Sequence, residues 1–362
     1  MKFDKKSVKK ILVLRYRSIG DLVLCNPALE TIRATFPGAR IDFVVDEAFE
    51  SLFYKNPNID RSIPFSRGSK GEGKIKSLLR ELRFILRIRA EKYDMVVDLH
   101  CGPRSAMLAW LSGARYRLGY PFRFRNRLFY NIHSPFDDGK TRPNDSHSVN
   151  NMVKILSPLD PAEPVEKNLF LTCRDEDRKF ASDFLARNGV LPGETVMVIH
   201  PGASPDIRRL PVEKMGEVLR WLCNETIIKT VLAGTEAERD FIKQMQEIAG
   251  RERPVAIGFT LGQFAALLEA GDMFMGNDSG PVHMAAALKK PVVVFFGPGD
   301  PEVWAPWGTD AVVLRTARME CMPCSQYKVQ CPYGGNHCMN RIPVEDIKNA
   351  VTSLMAKIPK LN

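Results

Sequence analysis

The chain reads as an α/β protein made of two parallel-sheet units. Three observations carry this reading. Short runs of apolar and β-branched residues recur, at 11–14, 41–45, 195–199 and 291–296, each next to a small-residue loop and a helix-like stretch. Strands of that kind, buried on both faces and alternating with helices, build parallel sheets. The length, 362 residues, is long for one domain and natural for two. Residues 157–168, SPLDPAEPVEKN, hold three prolines and no periodicity, and after them the pattern restarts. They read as a linker. The expected division is a first α/β unit over 1–165, a second over 166–345, and a helical tail over 346–362.

Taken in order, residues 9–15 form a strand and Arg17 to Asp21 a tight turn. Residues 22–35 have helical spacing, with a bend at Pro27. Residues 41–45 are the next strand, completing a βαβ unit. The basic stretch 66–93 reads as a helix. Leu78, Leu79, Leu82, Ile85, Leu86 and Ile88 form its apolar face, and Arg80, Arg83, Arg87 and Arg89 lie on the others. The preferred reading is a core helix with a solvated basic face; the competing one is an amphipathic element on an anionic membrane. Residues 94–99 are a strand ending in the loop 100–104, where open α/β sheets bind ligands, and 105–111 a helix. Residues 116–127 alternate basic and aromatic side chains. Such a strip can stack nucleic-acid bases. It lacks an RNA-binding fingerprint, and an acceptor-binding loop with Arg123, Arg125 and Arg127 as its cations fits better.

In the second half, 174–188 is a helix and the strand 195–199 ends in HPGAS. A helix follows at 214–222, then a strand at 227–232 ending in Ala-Gly-Thr-Glu236, a strand at 255–257 and a helix at 261–270. A short apolar stretch, 272–276, leads to the turn Asn277-Asp278-Ser279-Gly280. Pro281 suits the first turn of a helix over 282–288. The strand 291–296 and the loop 297–301 follow, and 344–357 is the last helix.

The formal charge of +10 is unevenly spread. Residues 1–165 hold 29 Lys and Arg against 18 Asp and Glu; the rest hold 23 against 24. The first half therefore suits an anionic partner. No apolar run reaches the roughly eighteen residues of a membrane span, and the apolar part of the N-terminus, 11–14, is too short for a signal-peptide core. A cytoplasmic protein is expected.

The turn at 277–280 running into a helix is a ready anion site, because free N–H groups and the helix dipole point at its occupant. Asp278, Ser279 and His283 surround it; the plain alternative is an ordinary capped helix. Arg208 and Arg209 add cations. Glu236 either accepts from ribose hydroxyls or merely favours a helix N-terminus. No Asp-x-Asp motif is placed to hold a divalent ion. Of the eight cysteines, four are clustered as Cys321-x2-Cys324-x6-Cys331-x6-Cys338. In a reducing compartment such a set points to structural zinc or iron, with free thiols or a labile disulfide as alternatives. No cofactor is expected for catalysis.

Two long patterns go further. GNDSGPVHMAAAL followed by FFGPGDPEVWAPWG, and SIGDLVLCNPALETIRATFPGARIDFVVD near the N-terminus, resemble signatures of the family-9 glycosyltransferases, bacterial heptosyltransferases of lipopolysaccharide core synthesis. The resemblance implies a GT-B protein: two Rossmann-like domains facing a central cleft, with a C-terminal helix that commonly crosses back to the first domain. It implies ADP-heptose as donor, bound by Arg208, Arg209, Glu236, Asp278, Ser279, Gly280, Pro281 and His283, with adenine near residues 258–261. It implies a phosphorylated lipopolysaccharide core as acceptor, at the anionic inner face of the cytoplasmic membrane, and no nucleic acid. Gly20 would lie at the acceptor and Asp21 would be the general base; the spacing of Ser18 and Asp21 also fits a capping box. Family members often carry Lys-Arg-Trp-Pro where this chain has Arg208-Arg209-Leu210-Pro211, so Arg208 stands at the phosphate-binding lysine. Cysteine-rich tails, some holding iron, occur in part of the family. The alternatives are another nucleotide sugar, a protein acceptor, or a non-catalytic binding module of the same fold.

Overall fold

A computed structural model describes residues 3–66, 68, 73–120, 127–134, 146–162, 167–322, 324, 330–331 and 333–358. The chain divides into Met1–Leu169 and Phe170–Asn362, a few residues beyond the expected boundary.

The first unit holds β1 (Lys10–Leu14), β2 (Arg40–Asp46), β3 (Arg61–Phe65), β4 (Met95–Asp98), β5 (Tyr116–Gly119) and β6 (Ile132–His133). Their order across the sheet is β3-β2-β1-β4-β5-β6, and every pairing is parallel. The second unit holds β7 (Val196–His200), β8 (Lys229–Gly234), β9 (Val255–Ile257), β10 (Met273–Asn277), β11 (Val292–Phe296) and β12 (Ala311–Arg315). Its order, β12-β11-β10-β7-β8-β9, is the same arrangement, again all parallel. Both are the doubly wound order of a Rossmann-like sheet, in which the chain reverses direction between the first and fourth strands. That switch point lies between β1 and β4 in one unit and between β7 and β10 in the other. Helix-borne side chains cover both faces, so the central strands are apolar throughout: Ile11 to Leu14 and Val292 to Phe296 are inaccessible.

Several elements depart from the sequence reading. The helix expected at 22–35 is two, Ile19–Leu24 and Asn26–Thr35, with Pro27 in the first turn of the second. Residues 116–119 form β5, not a loop; the anchor is Tyr116, buried in the sheet. The helix Lys74–Ala90 does not bury one continuous apolar face. Only Ile88 is buried, and Leu78, Leu79, Leu82 and Leu86 are exposed.

The strand starts are tied down away from the switch points. Asp42, fully buried, accepts from Arg61 (2.7 Å), Arg40 (3.0 Å) and the Tyr93 hydroxyl (2.6 Å). Glu91 joins Arg61 to Lys10. The Asp94 and Asp272 carboxylates accept from the first N–H groups of β1 and β7. Among the described residues no helix is long and apolar enough to cross a membrane.

The final helix, Val344–Met355, packs on β11, β12 and the helix Val212–Glu225. Ile347, Val351 and Leu354 are buried in the core of the second unit. The apolar face of this tail is therefore used within that unit. Leu354→Ala should destabilise the second unit by about 2–5 kcal/mol, read as faster hydrogen exchange in β11 and β12 with exchange in β1 to β6 unchanged.

Candidate active site

Each switch point carries an acid beside an arginine. In the first unit β1 runs into Arg15, and the chain turns into the short helix Ile19–Leu24. Asp21 lies in its first turn. Arg15 reaches it at 2.6 Å, and the Ser18 hydroxyl donates to it at 3.2 Å. Ser18 makes no side-chain cap, so the capping-box geometry is not formed. The Asp21 side chain stays one-fifth exposed, and Gly20 beside it is buried. On the adjoining β4, Asp98 is fully buried and accepts from Tyr130 (2.7 Å) and from the N–H groups of His100 and Cys101. Burial pushes its carboxyl up. Arg15 also donates to the carbonyl of Leu99, so one guanidinium ties the Asp21 turn to the loop after β4. Arg127 is exposed; Arg123 and Arg125 lie outside the described residues.

In the second unit the loop after β7 and the turn after β10 are bound together by Asn277, fully buried. Its Oδ1 accepts from the N–H of Leu210 (2.9 Å), and its Nδ2 donates to the carbonyl of Pro201 (2.7 Å). That holds Arg208 over Asp278, at 3.7 Å, too long for a hydrogen bond. Arg209 is occupied in its own loop, donating to the Ala203 carbonyl (3.0 Å) and pairing with Asp206 (2.9 Å). Asp278 is buried, and burial pushes its carboxyl up to about 6 against the pull of Arg208. Its carboxylate lies where a side chain at Gly299 would stand: a Cβ there would meet Oδ2 at 2.3 Å.

The helix Gly280–Ala287 begins at this point, with Pro281 in its first turn and His283 buried. Ser279 Oγ is buried with no hydrogen-bond partner among the described residues. Glu236 is exposed and paired with Arg239 (2.8 Å). The buried acid of that loop is Glu238, two residues on. It accepts from the N–H and hydroxyl of Thr235 (2.7 and 2.9 Å), and a Cβ at Gly202 would meet it at 1.5 Å. Its spacing from Thr235 is that of a capping box, the one sequence signal that singles it out. His200 lies 3.8 Å from Glu238; burial pulls its imidazole down against the pull of Glu238.

Cys321, Cys324, Cys331 and Cys338 line one pocket with Met319 and His337, and all four are free thiols. Burial pushes the Cys338 thiol up, with Cys324 and Cys331 adding to it. Among the described residues, no three His, Cys, Asp or Glu side chains form a group that could hold a metal. The donor set suits zinc or iron; the spacing of the side chains is not that of a closed site.

The chain matches the family described as glycosyltransferase family 9 (heptosyltransferase) over residues 81–334. It is 25% identical over 347 residues to lipopolysaccharide heptosyltransferase 3 of Escherichia coli K12, covering 94% of this chain and 96% of that one. A crystal structure of a family-9 glycosyl transferase from Veillonella parvula superposes with a TM-score of 0.82 at 27% identity, covering 96% of this chain and 97% of that one. The E. coli ADP-heptose lps heptosyltransferase II superposes at 0.74 with 20% identity, over 96% and 99% of the two chains. The chain belongs to glycosyltransferase family 9. It is a glycosyltransferase with two Rossmann-like domains of the GT-B class.

Asp278 makes stability depend on pH. Its folded-state pKa, about 6, lies above the ordinary carboxylate value of 3.8. The folded state therefore holds the proton more tightly, and stability is lost as pH rises from about 4 through about 6. Asp278→Asn should stabilise the protein at pH 8 by on the order of 3 kcal/mol and leave it nearly unchanged near pH 4; thermal melts across that range give both values.

Proposed function

We propose that the protein is an inverting heptosyltransferase that moves a heptose from ADP-heptose to the inner core of lipopolysaccharide. The observation that carries this reading is the pair of acid–arginine sites, Asp21 with Arg15 and Asp278 with Arg208, each at the switch point of its sheet, in a chain of family 9. The similarity to a lipopolysaccharide heptosyltransferase over nearly the whole chain supports the sugar and the acceptor class.

In this reading the second unit holds the donor. Arg208 and the N-terminus of the helix Gly280–Ala287 take the diphosphate, and Ser279 Oγ donates to it. Asp278 and His283 line the same turn, and Glu236 is the ribose acceptor. Arg209 acts by shaping the loop. The first unit, with its excess of positive charge, takes the phosphorylated core, with Gly20, Arg123, Arg125 and Arg127 at the acceptor. Asp21 accepts the proton of the acceptor hydroxyl as its oxygen attacks the anomeric carbon. The bond from that carbon to the β-phosphate oxygen breaks, ADP leaves, and the configuration inverts. Arg15 fixes the carboxylate in place. The charge on the leaving group is met by Arg208 and helix N–H groups, so no metal is assigned to it. The enzyme works in the cytoplasm, peripheral to the inner membrane. Cys321, Cys324, Cys331 and Cys338 are the soft donors that a structural zinc or iron would take, and they would have to draw together around it, because as placed they form no metal group.

Asp21→Asn should melt near the wild-type temperature, bind ADP-heptose normally and lose kcat by about 100-fold or more. A variant that keeps kcat within about threefold would place the base elsewhere. The donor is tested by a screen of nucleotide sugars against defined core acceptors, with turnover expected on ADP-heptose; preference for another sugar, or for a protein acceptor, would replace the assignment. Protein purified without chelator should carry about one zinc or iron per chain by elemental analysis. Finding neither removes the structural metal.

A further inference from the structure

The helix Lys74–Ala90 has two apolar faces. The inner one is spent on the core of the first unit: Ile88 is buried, and Phe84 packs edge-on against Phe65 with ring centroids 4.9 Å apart. The second faces outward. Ile75, Leu78, Leu79, Leu82 and Leu86 recur at helical spacing along one line, and they are 75, 68, 45, 48 and 55% exposed. The neighbouring helix Pro103–Leu111 also exposes two apolar side chains, Met107 and Trp110, at 38 and 53%. An exposed apolar line of that kind marks an interaction site.

Its charge says what the partner is. Lys76, Arg83 and Arg87 lie along the line next to the leucines, and all are exposed. Glu81 is the one acid in the helix, and Arg104 engages it at 2.8 Å. Two copies meeting by this face about a two-fold axis would set one basic strip against another. An anionic bilayer surface satisfies both halves at once, taking the leucines among its acyl chains and the cations among its headgroups.

We infer that the outer face of the helix Lys74–Ala90 docks the protein on an anionic lipid surface, Ile75, Leu78, Leu79, Leu82 and Leu86 inserting and Lys76, Arg83 and Arg87 contacting the headgroups. This deepens the reading of a lipid-borne acceptor, but its test needs neither donor nor acceptor. The full chain is sedimented with vesicles of phosphatidylcholine alone or mixed with phosphatidylglycerol. The wild type should bind the mixed vesicles, weakly at high salt, and bind phosphatidylcholine poorly. Leu78→Ser with Leu82→Ser and Leu86→Ser should cost about tenfold or more in partition. Arg83→Glu with Arg87→Glu should remove the preference for the anionic lipid. Both variants should melt with the wild type and retain ADP binding and turnover on a delipidated core oligosaccharide. Wild-type binding in the leucine variant, or lipid binding indifferent to charge, overturns the inference. So does a wild-type dimer that the leucine changes dissociate without any vesicle binding, which makes the face a contact between copies. Transfer lost with vesicle binding intact would count against the proposed function alone.

Discussion

The switch point of the second unit depends on one buried amide. Asn277 ends β10 and spends both halves of its side chain on the loop after β7, accepting from Leu210 and donating to Pro201. A buried amide with both ends satisfied fixes its neighbours; with one partner lost, the other is left unpaired in an apolar setting. Everything else at that switch point follows from this joint. It sets Arg208 over Asp278 and leaves the Ser279 hydroxyl open. It also holds Leu210 by its backbone N–H, while the Leu210 side chain is buried in the core of the second unit.

The carboxylates are handled by contrast. Asp42 and Asp98 are fully buried and surrounded by donors. Asp278 is nearly as buried but has only a distant arginine, and Asp21 is partly open to solvent with a close one. Donor-rich acids hold structure together. Acids with unused lone pairs keep capacity for a substrate, at some cost in stability.

Much of this was legible. The β-branched runs of β1, β2, β7 and β11 identified themselves by composition, and the turn at 277–280 by its residues. β5 was hidden because its basic and aromatic residues imitate a ligand-binding loop, while what counts is Tyr116 entering the sheet. The helix Lys74–Ala90 was misread because periodicity reports that an apolar face exists, not whether anything covers it. Asn277 read as turn chemistry, since a tertiary hydrogen bond across 67 residues leaves no local pattern. Glu236 and Glu238 differ by a shift along one turn; the capping-box spacing from Thr235 points to Glu238, and packing under Gly202 buries it.

The lattice of Asp42, Arg61, Glu91 and Lys10, with Asp94 and Asp272 at the strand starts, has a practical side. It sits at the end of each sheet opposite the switch point. A fluorophore, affinity handle or surface tether attached there is held by rigid, well-anchored backbone and stays a full strand length from the switch points. That end is the natural point at which to immobilise this enzyme for single-molecule or biosensor work.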